Sequence, residues 1–331
     1  MATAPARPAF LITIDTEGDH LWGGPREITT HNARWLPRFQ ALCERLNLRP
    51  TWLVNYEMAM DPLFREFARD LLARNAGEVG MHLHAWNSPP LTCNLTGDDW
   101  RHRPYLIDYP EAVMADKIHF LTDLLETVFG LPMVSHRAGR WAFNATYARL
   151  LARRGYRVDC SVTPHVSWQA TPGDPAGQGG SDFSAFPQGC YFMDLDAIHR
   201  PGVSPLLEVP VSIRKTVFAP LHRHLPHLCP FCMRIVWRLF PELRWLRPIG
   251  RGSRAMLTVL QEILAAGEPY AEFMLHSSEL MPGGSPTFAD EAAIERLYLD
   301  LERLFAFAAR HFVGQTLTEF HASQLRGGHG P

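Results

Sequence analysis

Two histidines one residue apart, His82 and His84 in Gly80-Met81-His82-Leu83-His84-Ala85-Trp86, carry the strongest chemical signal in this chain. They follow a strand-like stretch, and residues i and i+2 of a strand project to the same side. Both imidazoles can therefore face one point. A second such pair, Asp15 and Glu17 in Thr13-Ile14-Asp15-Thr16-Glu17-Gly18-Asp19, lies near the N-terminus. Two imidazoles and one or two carboxylates suit a zinc-like divalent metal that keeps a position open for water. That is the chemistry of hydrolysis.

These residues need a scaffold that brings distant segments to one rim. Short apolar runs at 10–15, 51–54, 78–84, 133–137, 157–162, 206–213, 272–276 and 316–320 read as strands. They alternate with helical patterns at 32–46, 62–74, 111–129, 144–154, 254–266 and 288–311. Strand–helix alternation predicts βα units around a parallel sheet. Seven or eight units predict an α/β fold closed as a distorted barrel. Asp15, His82, His84, Arg137, Asp159 and His276 then all fall at the C-terminal ends of strands, the rim where barrel active sites form.

The 331 residues fit one catalytic barrel spanning the chain, and 46% apolar residues suffice for a core. A net charge of −2 gives no global field for nucleic acid. The first residues lack the apolar core of a signal peptide, and no apolar run reaches spanning length. Six scattered cysteines suit reduced thiols. These features predict a cytoplasmic protein.

Two stretches interrupt the rhythm. Residues 163–205 are rich in Gly, Pro and Ser and read as a long rim loop. Residues 213–254 read as an insertion, with nine basic residues (214, 215, 223, 234, 238, 244, 247, 251, 254) against one acid, Glu242, interleaved with Phe218, Phe231, Trp237, Phe240 and Trp245. The composition fits a peripheral membrane contact on an anionic surface at the inner membrane face. His222, His224, His227, Cys229 and Cys232 could instead form a small metal knuckle. The plain alternative is an arginine-rich cover or a dimer contact.

Five short motifs in order give a family resemblance. They are Thr13-Ile14-Asp15-Thr16-Glu17-Gly18-Asp19, His82-Leu83-His84, Arg137-Ala138-Gly139-Arg140-Trp141, Asp159-Cys160-Ser161 and Met274-Leu275-His276. The chain resembles the polysaccharide deacetylase superfamily, the NodB-like carbohydrate esterases, as a divergent branch similar to deacetylases of O-antigen and other surface-glycan clusters. It departs from the common pattern twice. Thr16 stands where a second aspartate is usual, so Glu17 or Asp19 would supply the carboxylate. Trp86 stands where the second histidine is usual, so His84 would substitute for it.

The resemblance implies a distorted NodB-type (β/α) barrel and one divalent metal, zinc or else Co, Ni or Mn, held by Glu17, His82 and His84. Asp15 would be the base, oriented by Arg137. His276 would be the acid, held by Asp159. Trp86, Asn87, Arg140 and Trp141 would contact an N-acetylated sugar or glycan, and Met274 and Leu275 would enclose the acyl methyl. The implied activity is hydrolysis of the N-acetyl amide of an amino sugar, free or in a lipid-linked glycan. Two alternatives stand: a deformylase or other amide hydrolase on an aminosugar, and a glycan-binding barrel that has lost its metal.

Overall fold

The computed structural model describes residues 7–23, 27–91, 95–171, 179–220 and 240–328. Its strands are β1 (Ala9–Thr16), β2 (Thr51–Val54), β3 (Glu78–Leu83), β4 (Ser135–Ala138), β5 (Val158–Asp159), β6 (Tyr191–Phe192) and β7 (Leu207–Glu208). They continue with β8 (Ile213–Lys215), β9 (Leu243–Trp245), β10 (Tyr270–His276) and β11 (Val313–Gln315). The main sheet runs β10-β1-β2-β3-β4-β5-β7-β6, with β11 also beside the start of β1. All its pairs are parallel except β6–β7.

The sheet curls, and irregular backbone bonds close the gap between β7 and β10. Val211 N–H donates to Val162 O at 3.0 Å, Leu246 N–H to Ser212 O at 2.9 Å, and Met274 N–H to Leu246 O at 3.3 Å. The result is the distorted α/β barrel that the alternation of elements predicts.

Strand alternation sorts every side chain into one of two layers. In β1, Phe10, Ile12 and Ile14 join the cluster beneath the helices, whereas Leu11 joins the interior cluster. The interior floor is apolar: Leu11, Leu53, Val158, Cys160 and Val209, plugged from below by Leu317 and Phe320. Polar residues stand above this floor. The helices begin on sequence-encoded caps, with the Asp61, Asn144 and Asp290 side chains accepting from Phe64, Tyr147 and Ala293 N–H. Gly130, Gly155 and Gly267 end three of them in the left-handed region.

The structure moves three sequence boundaries. Residues 316–320 are not a strand: Thr316 and Glu319 form a reciprocal capping box that starts the helix Leu317–Arg326, and the strand lies just before it at β11. The run 206–213 breaks into β7 and β8, because Pro210 has no N–H to donate. The described residues of 163–205 include regular pairing that a plain loop would lack: β6 and the bridges Ser167–Asp182 and Met193–Pro201. The histidine–cysteine knuckle of residues 222–232 lies outside the described residues. Among the described residues, no helix is long and apolar enough to cross a membrane.

Gly80 of β3 makes the closeness of the strands testable. A Cβ there would sit 2.7 Å from Ser135 O on β4 and 2.9 Å from Leu53 Cδ2 on β2. Gly80→Ala should cost about 1–3 kcal/mol by overpacking, read as a thermal midpoint several degrees lower.

Candidate active site

The register of the sheet brings the chemical residues together at the top of the barrel. Asp15 lies beside His276, and His82 beside Arg137. Arg137 is fully buried below the rim. Its guanidinium donates to Asp15 Oδ1 at 2.7 Å, Glu272 Oε1 at 2.6 Å, Thr13 Oγ1 at 2.8 Å and Cys160 O at 2.9 Å. Thr13 also donates to Glu272. Burial alone would raise the Asp15 pKa, but Arg137, His82 and His276 outweigh it and hold the carboxyl below its usual range. Asp15 therefore stays ionised. Its second oxygen, Oδ2, lies 4.0 Å from His82 Nε2 and 3.7 Å from His276 Nε2.

Next to Asp15, three ligand-type atoms converge. His84 Nε2 is 2.8 Å from Glu17 Oε2 and 3.0 Å from His82 Nε2, and His82 Nε2 is 3.5 Å from Glu17 Oε2. His82 Nδ1 lies 3.0 Å from the Arg137 carbonyl. A proton on Nδ1 satisfies that contact and leaves the Nε2 lone pair facing the other two ligands. Three acceptors pointing at one place repel unless a cation lies between them, and two imidazoles with one carboxylate are a donor set that zinc accepts. The residues therefore fit a divalent metal.

The ionisation of the histidines agrees with this fit. Burial pushes His84 down to about 4, so it is neutral at neutral pH. Burial opposes a charge on His82 too, but Asp15 and Glu17 outweigh it and raise its pKa. The site calls for positive charge at that spot. Gly139 makes room for the His84 ring, since a Cβ there would sit 2.6 Å from His84 Nδ1.

These residues open into a cavity of about 360 Å³. Its walls include Trp86, Tyr105, Arg140, Trp141, Trp168, Arg247 and Leu21. Trp86 lies against the His84 ring at a centroid distance of 4.2 Å, and the Arg140 guanidinium sits 5.3 Å over Trp86. Arg140 and Trp141 both have left-handed backbones, φ 55° and 59°. Side chains rarely adopt that region, and strain of about 1–3 kcal/mol per residue persists mainly where surroundings enforce it. Here the kink turns Arg140 towards the cavity and lays Trp141 5.1 Å from the Arg137 guanidinium.

Four sequence expectations need correction. Asp159 does not face the interior. It is paired with His136, the outward neighbour of Arg137, while Val158 and Cys160 point inward. Its Oδ1 contacts His136 Nδ1 at 2.6 Å and accepts from Ser161 Oγ at 2.9 Å, and His136 Nε2 reaches Tyr147 OH at 2.8 Å. The carboxylate at His276 is Glu279 instead, with Oε2 3.3 Å from Nδ1.

Leu275 faces the helix layer, because it alternates with His276, so it cannot enclose an acyl group in the cavity. Met274 is on the inner face but lies below the cavity in a cluster with Val211 and Ile213. Asn87 donates to Glu57 at 2.6 Å and does not line the cavity. Asp19 accepts from Thr29 Oγ1, His31 N–H and Asn32 N–H, so it organises its own loop while Glu17 meets the histidines.

Sequence reasoning missed Tyr105, Trp168, Arg247, Glu272 and Glu279. Only Glu279 had a local signal, its spacing of three from His276.

Comparison with known proteins places the fold. No protein-family model matches the sequence, and no curated protein does. Solved structures do match. A protein from Parabacteroides distasonis assigned as a glycoside hydrolase/deacetylase superposes with a TM-score of 0.61 at 11% identity, over 98% of this chain and 73% of that one. A protein from Mycobacterium smegmatis assigned as a polysaccharide deacetylase superposes with a TM-score of 0.53 at 15% identity, over 100% and 94%. The chain has the fold of the NodB-like polysaccharide deacetylase superfamily.

Arg137 is the testable keystone of the site. Arg137→Met removes the counter-charge of two buried carboxylates, Asp15 and Glu272. Breaking one side of a buried ion network costs about 3–5 kcal/mol, so denaturant unfolding should show a loss of that size. A loss under about 1 kcal/mol would mean the carboxyls protonate at little cost.

Proposed function

We propose that this protein is a metal-dependent hydrolase that removes the N-acetyl group from an amino sugar in a glycan or lipid-linked glycan. One observation carries the reading: Glu17, His82 and His84 converge beside an ionised Asp15 and an inward-facing His276, at the floor of an aromatic cavity. Zinc is the metal we assign, because the donors are two imidazoles and a carboxylate. A bound divalent metal supplies an activated water and polarises the amide carbonyl.

The chain's own residues do the rest. Asp15 Oδ2 accepts the water proton while Arg137 holds the other oxygen and fixes the carboxylate plane. His276 Nε2, on the other side of Asp15 from His82, gives a proton to the leaving amine. Burial lowers the His276 pKa, but Glu17, Glu279 and Asp15 more than offset this and raise it, which favours the protonated form that an acid needs. Trp86, Trp141 and Trp168 offer flat apolar faces to a sugar ring.

The test is metal content of the purified protein by mass spectrometry, followed by acetate release from N-acetylglucosamine oligosaccharides with zinc. About one zinc per chain is expected. His82→Ala should lose it. Asp15→Asn should retain it and lower acetate release at least 100-fold, the scale of a lost general base. Formate released from an N-formyl sugar, without acetate from its N-acetyl counterpart, would move the reading to a deformylase. Sugar binding without metal or acyl release would replace it with a glycan-binding barrel.

The same reading includes a membrane contact through the insertion. Val217 is 82% exposed, and Phe218 and Phe240 meet edge to face at 5.1 Å while still partly exposed. They flank the centre of the basic insertion, which spans residues 213–254. Apolar side chains among basic ones favour an anionic bilayer surface. The protein should therefore float with vesicles containing anionic phospholipid and not with neutral ones. A variant carrying Val217→Asp, Phe218→Asp and Phe240→Asp should bind at least tenfold more weakly. Equal binding by that variant would exclude the contact.

A further inference from the structure

We propose that Glu279, clamped by Arg247 from the insertion, is the positioning residue that holds His276 as the proton donor. This rests on the acid role given to His276 above. His276 ends β10, with its two ring nitrogens facing opposite environments. Nε2 looks into the cavity, 3.7 Å from Asp15 Oδ2 and 3.9 Å from Glu17 Oε1. Nδ1 looks back at Glu279, with the carboxylate Oε2 3.3 Å away and the Glu279 main-chain N–H directed at the same ring across the turn. An imidazole that donates from Nε2 must carry a proton on Nδ1 both before and after the transfer, and a buried N–H needs an acceptor. Glu279 is that acceptor.

The carboxylate is fixed on both sides. Oε2 also accepts the His276 main-chain N–H at 2.8 Å, across the short turn Ser277–Leu280. Oε1 lies 3.1 Å from the Arg247 guanidinium. Glu279 is only 2% exposed, and burial would raise its pKa, yet Arg247 and His276 outweigh that and keep it ionised. The carboxylate expected from sequence, Asp159, points out of the barrel to His136.

Arg247 gives the arrangement a wider consequence. Leu246, just before it, bonds to both Ser212 and Met274 and closes the barrel. Trp245 sits 6.4 Å from both Trp141 and Trp168 in the cavity wall. The return strand of the insertion therefore builds one wall of the active site and clamps the residue that orients the acid.

Two measurements test this. The first needs no substrate: long-range ¹H–¹⁵N correlation spectra of the histidine rings, assigned with His276→Gln. The expected wild-type state has a proton on His276 Nδ1, with a resonance that shifts or exchanges away in Glu279→Gln. An unprotonated Nδ1 in the wild type, accepting from the Glu279 main-chain N–H, would overturn the proposal, whatever the protein's activity.

The second is kinetic, on the zinc-loaded protein with N-acetylglucosamine oligosaccharides. Glu279→Gln should lower kcat about 10–100-fold, within the range of general acid catalysis, and leave KM within twofold. Arg247→Met should lower kcat, and Arg247→Lys should recover part of the loss. Unchanged kcat in Glu279→Gln, or a change in KM alone, would also overturn it. Thermal midpoints close to the wild type would keep misfolding from imitating either result. Should the wild type release no acyl group, the acid role fails, and the ring spectra still decide whether Glu279 holds His276.

Discussion

The guanidinium of Arg137 stands at the centre of this molecule. It sits inside the barrel with no exposed surface and bonds to β1 through Asp15 and Thr13, to the segment after β5 through Cys160, and to β10 through Glu272. A charge in an apolar interior costs several kcal/mol unless it is paired, and Arg137 places four of its five N–H donors in that pairing. The cost gives geometric definition: strands far apart in sequence share one planar fork. Asp15 keeps one oxygen tied down and presents the other to the cavity, and the main-chain carbonyl of Arg137 orients His82. The Asp15 carboxylate and the His82 ring thus both take their positions from one residue.

Above that layer the site is a problem of charge. Glu17, His82 and His84 crowd their ligand atoms together, and the ionisation of each is set by the others. Burial alone would neutralise every one of these groups. The carboxylates favour a cation instead, and the tautomer of His82 aims a lone pair at it. Glycine at 139 and strained backbone at Arg140 and Trp141 show the same site from the steric side: the loop after β4 is bent to admit the His84 ring and line the cavity.

The barrel does not close by a regular ladder. Residues 211–213 and 246 bridge β7 to β10 through single bonds, and the basic, aromatic insertion springs from this seam. Trp245 and Arg247 enter the active-site wall from there. A segment that looks like an addition in sequence supplies part of the wall of the site.

Most of the elements, and the strand-end positions of several rim residues, are legible in the chain. Local patterns encode them: apolar runs of strand length, helix caps such as Asp61 and Asp290, and pairs at spacing two such as His82 and His84. Spacing within a strand is a local property, so it can be read without knowing what lies opposite. Which face each strand turns inward, and what each side chain meets there, depends on contacts between distant segments. Asp159 and Leu275 are the clearest cases. Each is one residue from an inward-facing position, and a period of two sends it to the opposite layer. Glu279 and Arg247 meet at His276 only because the chain returns from the insertion to close the barrel, a contact between distant segments that no local pattern records.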